Sequence, residues 1–318
     1  EIGVEPEVVM NHETYESGAF AEKTHSAIEQ RDEIRRVIED VSGREVPDDW
    51  YPYNPVGSDG SLDGVTVTGY ERPYVHWVDR HGVEGKSDIR TAEGKMPWRV
   101  DWAAKWGVHE ITCEPAGKDH GAAGGSYDTG IPICEMLGSK PPHKMVYEWI
   151  QLKGMGPMSS STGLTVGPMD ALALVPPEIM RYVIARSKVG RHIDFDTGPA
   201  LFTTADEYER LVANPPGGSD EDLSRRQQVA RDTQLGSLRL SQTERGADPA
   251  DSVAGVSFRH LSMLAQIKSG DEDVWESLRK SGHLEGEPGA SLAGRLHRMR
   301  NWIGGPHFPD EAKVEVRT

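Results

Sequence analysis

Apolar positions near the start of the chain occur at two spacings. Ile2, Val4, Val8, Val9 and Met10 form a run that predicts a strand over residues 1 to about 13. From Tyr15 to about Val41 the spacing becomes helical, with Phe20, Ala27, Ile28, Ile34, Val37 and Ile38 recurring on one face and Gly43 placed as a stop. From Pro47 to about Pro97 the texture changes to Pro, Gly, Asp and Tyr. Short β-like runs at Val65–Tyr70 and Tyr74–Val78 predict an inserted hairpin module there. An alternating block follows, with strands at Val108–Glu114 and Val146–Leu152 around one or two short helices in Asp119–Leu137. Strand, loop, helix, strand is the pattern of a parallel sheet, so an α/β class is predicted. Helices are expected at Met169–Leu174, Glu178–Arg186 and Ala205–Ala213, with an extended run at His192–Phe195 between them. Residues 214 to about 255 read as an acidic, loop-rich link, and Phe258–Ile267, Glu272–Lys280 and Ala290–Trp302 as three further helices.

Charge refines this picture. Acidic residues outnumber basic ones by 51 to 35, giving a net charge of −16. That balance argues against coating nucleic acid through a net positive field. It fits a salt-rich cytoplasm, where an acidic surface keeps proteins soluble and high ionic strength screens self-repulsion. No apolar run approaches the roughly 20 residues a bilayer span needs, so no membrane role is expected. Cys113 and Cys134 are too few for a disulfide framework or a Cys-based zinc site, and read as small buried hydrophobes in a reducing, cytoplasmic protein.

Candidate chemistry is concentrated between Trp98 and Gly163, where the polar loops follow the predicted strands. In open α/β sheets such loops bind nucleotides. In EPAGKDH (114–120), Gly117 lets a ligand approach the backbone, and the helix start that follows favours an anion. Asp119 can accept from ribose hydroxyls and His120 can donate to a phosphate or carboxylate. A glycine turn capped by aspartate also serves as a plain turn, and the motif alone leaves both readings open. PMSSSTG (157–163) offers hydroxyl and amide donors from Ser159, Ser160, Ser161 and Thr162 for phosphates, although a solvated linker has the same composition. WRVDW (98–102) and Trp106 gather aromatic rings that suit either an ammonium group through cation–π attraction or core packing, and Tyr147 invites the same two readings. His76, Asp79 and His81 in the insertion lack paired metal-ligand spacing.

Taken together, WRVDWAAKW (98–106), CEPAGKDHGAAGGSYDTG (113–130), YEWIQLKG (147–154) and MSSSTG (158–163) resemble class I lysyl-tRNA synthetases of the archaeal type. The resemblance runs from about residue 1 to 215 and, more weakly, through the RNW near Arg300. It implies a Rossmann-like parallel sheet, of which this chain holds the second half, with an inserted β-hairpin module and α-helical C-terminal regions. Residues 1–46 would end the first Rossmann half, 47–97 form the connective module and 98–168 carry the nucleotide-site loops. Residues 169–215 would contact the tRNA stem, and 216–318 form an incomplete anticodon-binding region. The implied reaction joins lysine to tRNA(Lys) at the expense of ATP, used with Mg2+, through a lysyl-adenylate. Gly117, Asp119, His120, Pro157, Met158 and Ser159 are then the ATP-binding positions, and Trp98, His120 and Tyr147 shape the lysine pocket. His120, Met158, Ser159, Ser160 and Ser161 are the catalytic candidates.

Three features depart from the family pattern. Its HIGH-type motif is expected upstream of Glu1, so the chain reads as a fragment unable to complete the reaction alone. The loop PMSSST (157–162) lacks the usual lysines, leaving Lys153 or seryl and backbone donors to meet pyrophosphate. GSDG (57–60) and VDRHG (78–82) stand where many members hold zinc, so a hairpin held by packing alone, without a structural zinc, is expected. A class I ligase for another amino acid, such as glutamate, and a catalytically silent tRNA-binding relative remain the alternatives.

Overall fold

A computed structural model describes residues 2–153, 156–158, 166–196, 198–306 and 308–315. The chain divides into two compact units, Pro6–Glu148 and Trp149–Thr318, the latter also taking in the first five residues.

The first unit opens with α1 (Asn11–Glu16), α2 (Ala21–Glu29) and α3 (Arg31–Ser42). The single helix predicted over 15–41 is thus interrupted, at Gly18 (φ 77°) and at Gln30, whose φ and ψ of −105° and 22° leave the helical region. Gly43, with φ 64°, closes α3 as its spacing predicted. Residues 2–10 form no strand, and Val4 and Val8 are exposed, which corrects the expectation for that run. Alternation of apolar residues specifies a strand only where one face is buried, and this run buries neither.

The insertion is a three-stranded antiparallel meander of β2 (Thr66–Glu71), β3 (Tyr74–Val78) and β4 (Glu84–Asp88). It is flanked by β1 (Asn54–Pro55), which pairs with β5 (Gly94–Lys95). It is not held by packing alone. The buried Asp79 carboxylate accepts from the Ser58 hydroxyl and from the backbone N–H groups of Ser58, His81 and Val83. Asp59 meets Arg80 at 2.5 Å. These bonds join the GSDG and VDRHG turns to one another.

The α/β part of this unit runs α4 (Trp98–Val108), β6 (Cys113–Gly117), α5 (Lys118–Gly121), α6 (Ser126–Met136) and β7 (His143–Tyr147). β6 and β7 are parallel, with Cys113 opposite His143 and Gly117 opposite Tyr147, so the strand–helix–strand reading holds here. Its boundaries shift, because α4 occupies positions as far as Val108 and β6 begins at Cys113. Cys113 is exposed rather than buried, whereas Cys134 sits in the core, where burial pushes its thiol up to about 11. Tyr15, Phe20, Ile34, Val100, Trp106, Tyr127 and Ile133 fill this unit's core. Tyr15 crosses it, donating to Asp101 Oδ1 at 2.7 Å and accepting from the Met96 N–H at 3.0 Å.

In the second unit β8 (Ile150–Leu152) lies between β9 (Gly156–Pro157), antiparallel, and β10 (Ile193–Phe195), parallel. The strand predicted over Val146–Leu152 is therefore two strands in different sheets, parted at Glu148 and Trp149. The rest of this unit is helical, with α7 (Pro168–Leu174), α8 (Pro177–Ala185), α9 (Pro199–Ala213), α10 (Arg225–Ser241), α11 (Phe258–Ile267), α12 (Asp271–Lys280) and α13 (Ala290–Gly304), whose buried side chains share one apolar core with Leu152 of β8. Helix α10 lies inside the segment expected to be a link. Phe202, Trp302 and Phe308 pack ring to ring in the core, with Trp302 fully buried. Arg295, 2% exposed, pairs with Glu209 and donates to the Ser252 carbonyl at 3.1 Å.

Candidate functional site

Helix α4 places Trp98, Trp102 and Trp106 four residues apart, which on a 3.6-residue helix stacks them along one side. Successive ring centroids are 5.1 Å apart. The inner ring, Trp106, is 1% exposed, and the outer, Trp98, is 51% exposed. The core-packing reading holds at the Trp106 end of the ladder, and the Trp98 end presents an open ring face. The His120 imidazole lies 5.2 Å from Trp98 and 6.1 Å from Trp102, centroid to centroid. Trp102 Nε1 donates to Glu114 Oε1 at 3.2 Å, tying the ladder to β6.

At the carboxyl ends of β6 and β7, Gly117 stands opposite Tyr147. A Cβ built on Gly117 would lie 3.8 Å from the tyrosine ring, so glycine leaves that half-exposed ring uncovered. Lys118 Nζ pairs with Glu148 Oε2 at 3.0 Å beside it. Asp119 and His120 are exposed on the following turn. That turn, α5, is four residues long and carries little dipole, which removes the helix-start argument for an anion there.

The SYDTG residues are largely architectural. Tyr127 is buried and donates to the Pro142 carbonyl at 3.2 Å, and burial pushes its phenol up to about 12. Asp128 accepts from the Gly124 N–H and pairs with Lys144 at 2.6 Å, fixing the start of α6 against β7. Thr129 is buried and accepts from Arg99 at 3.1 Å.

Trp98 and His120 are brought together, and so are Gly117 and Tyr147. Pro157 and Met158 belong to the unit that starts at Trp149. Pro157 pairs with Gln151, and Met158 packs against that unit's apolar core. Ser159, Ser160, Ser161, Thr162 and Gly163 lie outside the described residues. Lys153 is engaged by Asp196 at 2.7 Å.

A cavity of about 540 Å³ opens beside Trp98 and His120. Its lining includes Arg44, Trp50, Arg99 and Ser126, none of which sequence reasoning singled out. Arg99 lies inside the WRVDW motif, where the tryptophans drew the attention. Among the described residues no group of three His, Cys, Asp or Glu side chains could hold a metal ion, and no helix is long and apolar enough to cross a membrane.

The family model described as tRNA synthetases class I (K) matches residues 1–235. Lysine–tRNA ligases of Picrophilus torridus and Thermoplasma acidophilum are 36% and 38% identical to the chain, in each case over 99% of it and 60% of the relative. That of Archaeoglobus fulgidus is 34% identical over 99% of the chain and 59% of the relative. The chain thus spans about 60% of the length of the curated relatives it matches. With the family model covering more than half of the chain, and these relatives matching nearly all of it, the chain belongs to the class I (K) tRNA synthetases.

Proposed function

We propose that the protein containing this chain is an ATP-dependent lysine–tRNA ligase acting in the cytoplasm. The observation that carries this reading is the open Trp98–His120 face, rigidly stacked on a core ladder beside the ends of two parallel strands. Those strands and the helices between them form part of a Rossmann-like nucleotide domain spanning residues 98–168. Residues 1–46 end its first half, and 47–97 are a connective insertion. Residues 169–215 approach the tRNA stem, and 216–318 extend toward the anticodon. The relatives' names and the family match support the reading.

In the first step a lysine carboxylate oxygen attacks the α-phosphorus of ATP, taken as its Mg2+ complex. Pyrophosphate leaves and lysyl-adenylate forms. In the second, a ribose hydroxyl at the tRNA 3′ end attacks the lysyl carbonyl and AMP leaves. Trp98 and Tyr147 offer π faces to the lysine ammonium, and His120 donates to the carboxylate or to the α-phosphate. Gly117 and Asp119 hold the adenosine. Pro157, Met158, Ser159, Ser160 and Ser161 are the residues that the family resemblance assigns to the ATP phosphates. Such chemistry depends on positioning and charge stabilisation more than on covalent work by the protein.

Lysine-dependent ATP–pyrophosphate exchange by the complete protein tests this. Trp98→Ala is expected to lower kcat/KM for lysine about ten- to thirtyfold, the equivalent of roughly 1–2 kcal/mol of lost cation–π attraction. A silent tRNA-binding relative is favoured only by the lysine-free PMSSST loop. Absence of exchange with any amino acid in molar KCl would select that reading instead.

A further inference from the structure

A second cavity, of about 630 Å³, lies at the amino ends of β6 and β7, the opposite end of those strands from Gly117 and Tyr147. The loop joining α4 to β6 lends it Glu110 and Thr112, and the loop joining α6 to β7 lends it Lys140 and His143. Both loops are fixed in place. Lys23 Nζ donates to Ser139 Oγ and to the Leu137 carbonyl, at 2.7 Å each. The His143 N–H donates to the Thr112 carbonyl at 2.8 Å, and a Cβ built on Gly107 would fall 2.1 Å from Ser139 Oγ.

Glu110 is the one non-glycine residue with positive φ among the described residues, at 50°. It ends α4, its N–H donating to the Gly107 carbonyl while the Ile111 N–H donates to that of Trp106. Glycine ordinarily takes the left-handed position of this turn, and a glutamate there carries strain that glycine would not. Strain of this kind gathers at ligand sites. The Glu110 carboxylate, the Lys140 ammonium and the His143 imidazole have no partner among the described residues, and Glu110 and Lys140 do not pair with one another. By contrast Lys105, Lys118 and Lys144 of the same unit are each paired with a carboxylate. Trp106 forms part of the wall, and its buried Nε1–H meets no acceptor. Buried donors are nearly always paired, and an acceptor arriving from the cavity would pair this one. Ile111, Pro141 and Pro142 make the remaining lining apolar.

We infer that this cavity binds a small α-amino acid with an apolar side chain, its ammonium on Glu110 and its carboxylate on Lys140 and His143. A simple anion would be opposed by Glu110 and a simple cation by Lys140, whereas a zwitterion satisfies both. The volume lies in the range of small-molecule sites. The site stands apart from the ligase reading, which uses the other end of the strands.

The test is isothermal titration calorimetry on the full chain with three probes of one skeleton. These are L-leucine, 4-methylpentanoate, which lacks the ammonium, and 3-methylbutylamine, which lacks the carboxylate. Leucine is expected to bind in the millimolar range or tighter, and each analogue about tenfold more weakly, since each leaves one charged partner unmet. Glu110→Gly relieves the positive φ, so its melting temperature stays level or rises, while leucine affinity falls about tenfold. A glutamate serving only to end the helix would show no such loss. Lys140→Ala weakens leucine and 4-methylpentanoate but leaves 3-methylbutylamine unchanged. The inference is overturned if leucine gives no heat at tens of millimolar, if 4-methylpentanoate binds as well as leucine, or if leucine affinity is indifferent to either substitution.

Discussion

Gly130 has no side chain because the Trp106 indole occupies the place where one would go. A Cβ built there falls 2.6 Å from the ring, closer than any real contact allows. Helix α6 and the tryptophan ladder can meet only if this position is glycine. Gly130→Ala is therefore expected to destabilise the first unit by about 1–3 kcal/mol, the range for overpacking a dense core. Thermal melting followed by circular dichroism checks it, and an unchanged midpoint would contradict the packing. The same residue shows what the sequence could convey about the site. SYDTG helps to identify the family, yet its tyrosine, aspartate, threonine and glycine are occupied in packing and in fixing a helix start. The unassigned Arg99 faces the cavity from within the motif next to it. Residue type and spacing marked the stretch where chemistry gathers. Which member of a motif faces the cavity depends on helix phase and on neighbours distant in sequence.

At the scale of elements, the polar knot in the insertion carries a definite pH dependence. The Ser58 hydroxyl above all, and then the backbone N–H groups of Val83, His81 and Ser58, hold the Asp79 carboxyl down to about 2 against the opposing effect of burial. A depressed folded pKa contributes stability that is present above the unfolded value, near 3.9, and is lost as pH falls toward 2. Asp79→Asn should melt several degrees lower than the unsubstituted chain at pH 7, with the gap closing between pH 4 and 2. A gap independent of pH would show that the carboxylate charge is not what binds the two turns. Elements with strong local patterns were legible. The hairpin strands β2 and β3 and the three C-terminal helices fall where periodicity put them. Helix α10 was hidden by its Arg- and Gln-rich composition and by the acidic loops around it. Its start did carry a signal, Ser-Arg-Arg-Gln at 224–227, in which the Ser224 N–H donates to Gln227 Oε1 at 2.9 Å. The run YEWIQL shows the opposite failure. It is continuously β-like, but its two ends find different partner strands, and only tertiary pairing decides where such a run breaks.

On the scale of the whole molecule, a net charge of −16 is a self-repulsion that added salt screens. The melting temperature is expected to rise by several degrees between low salt and molar KCl, and activity of the complete protein should follow. A flat or falling midpoint would sink the idea of a protein suited to a salt-rich cytoplasm. The order of predicted elements made the α/β beginning and the helical end legible in outline among the described residues. The division after Glu148 was not, because it falls inside an apolar run with no Pro, Gly or charge cluster to announce it. The tryptophan ladder has one consequence of an optical kind. Three indoles at 5.1 Å steps couple electronically, so light absorbed by the core ring reaches the exposed one. Whatever settles on Trp98 will dim or shift the emission of the whole stack, and the protein reports occupancy of its own pocket without a label.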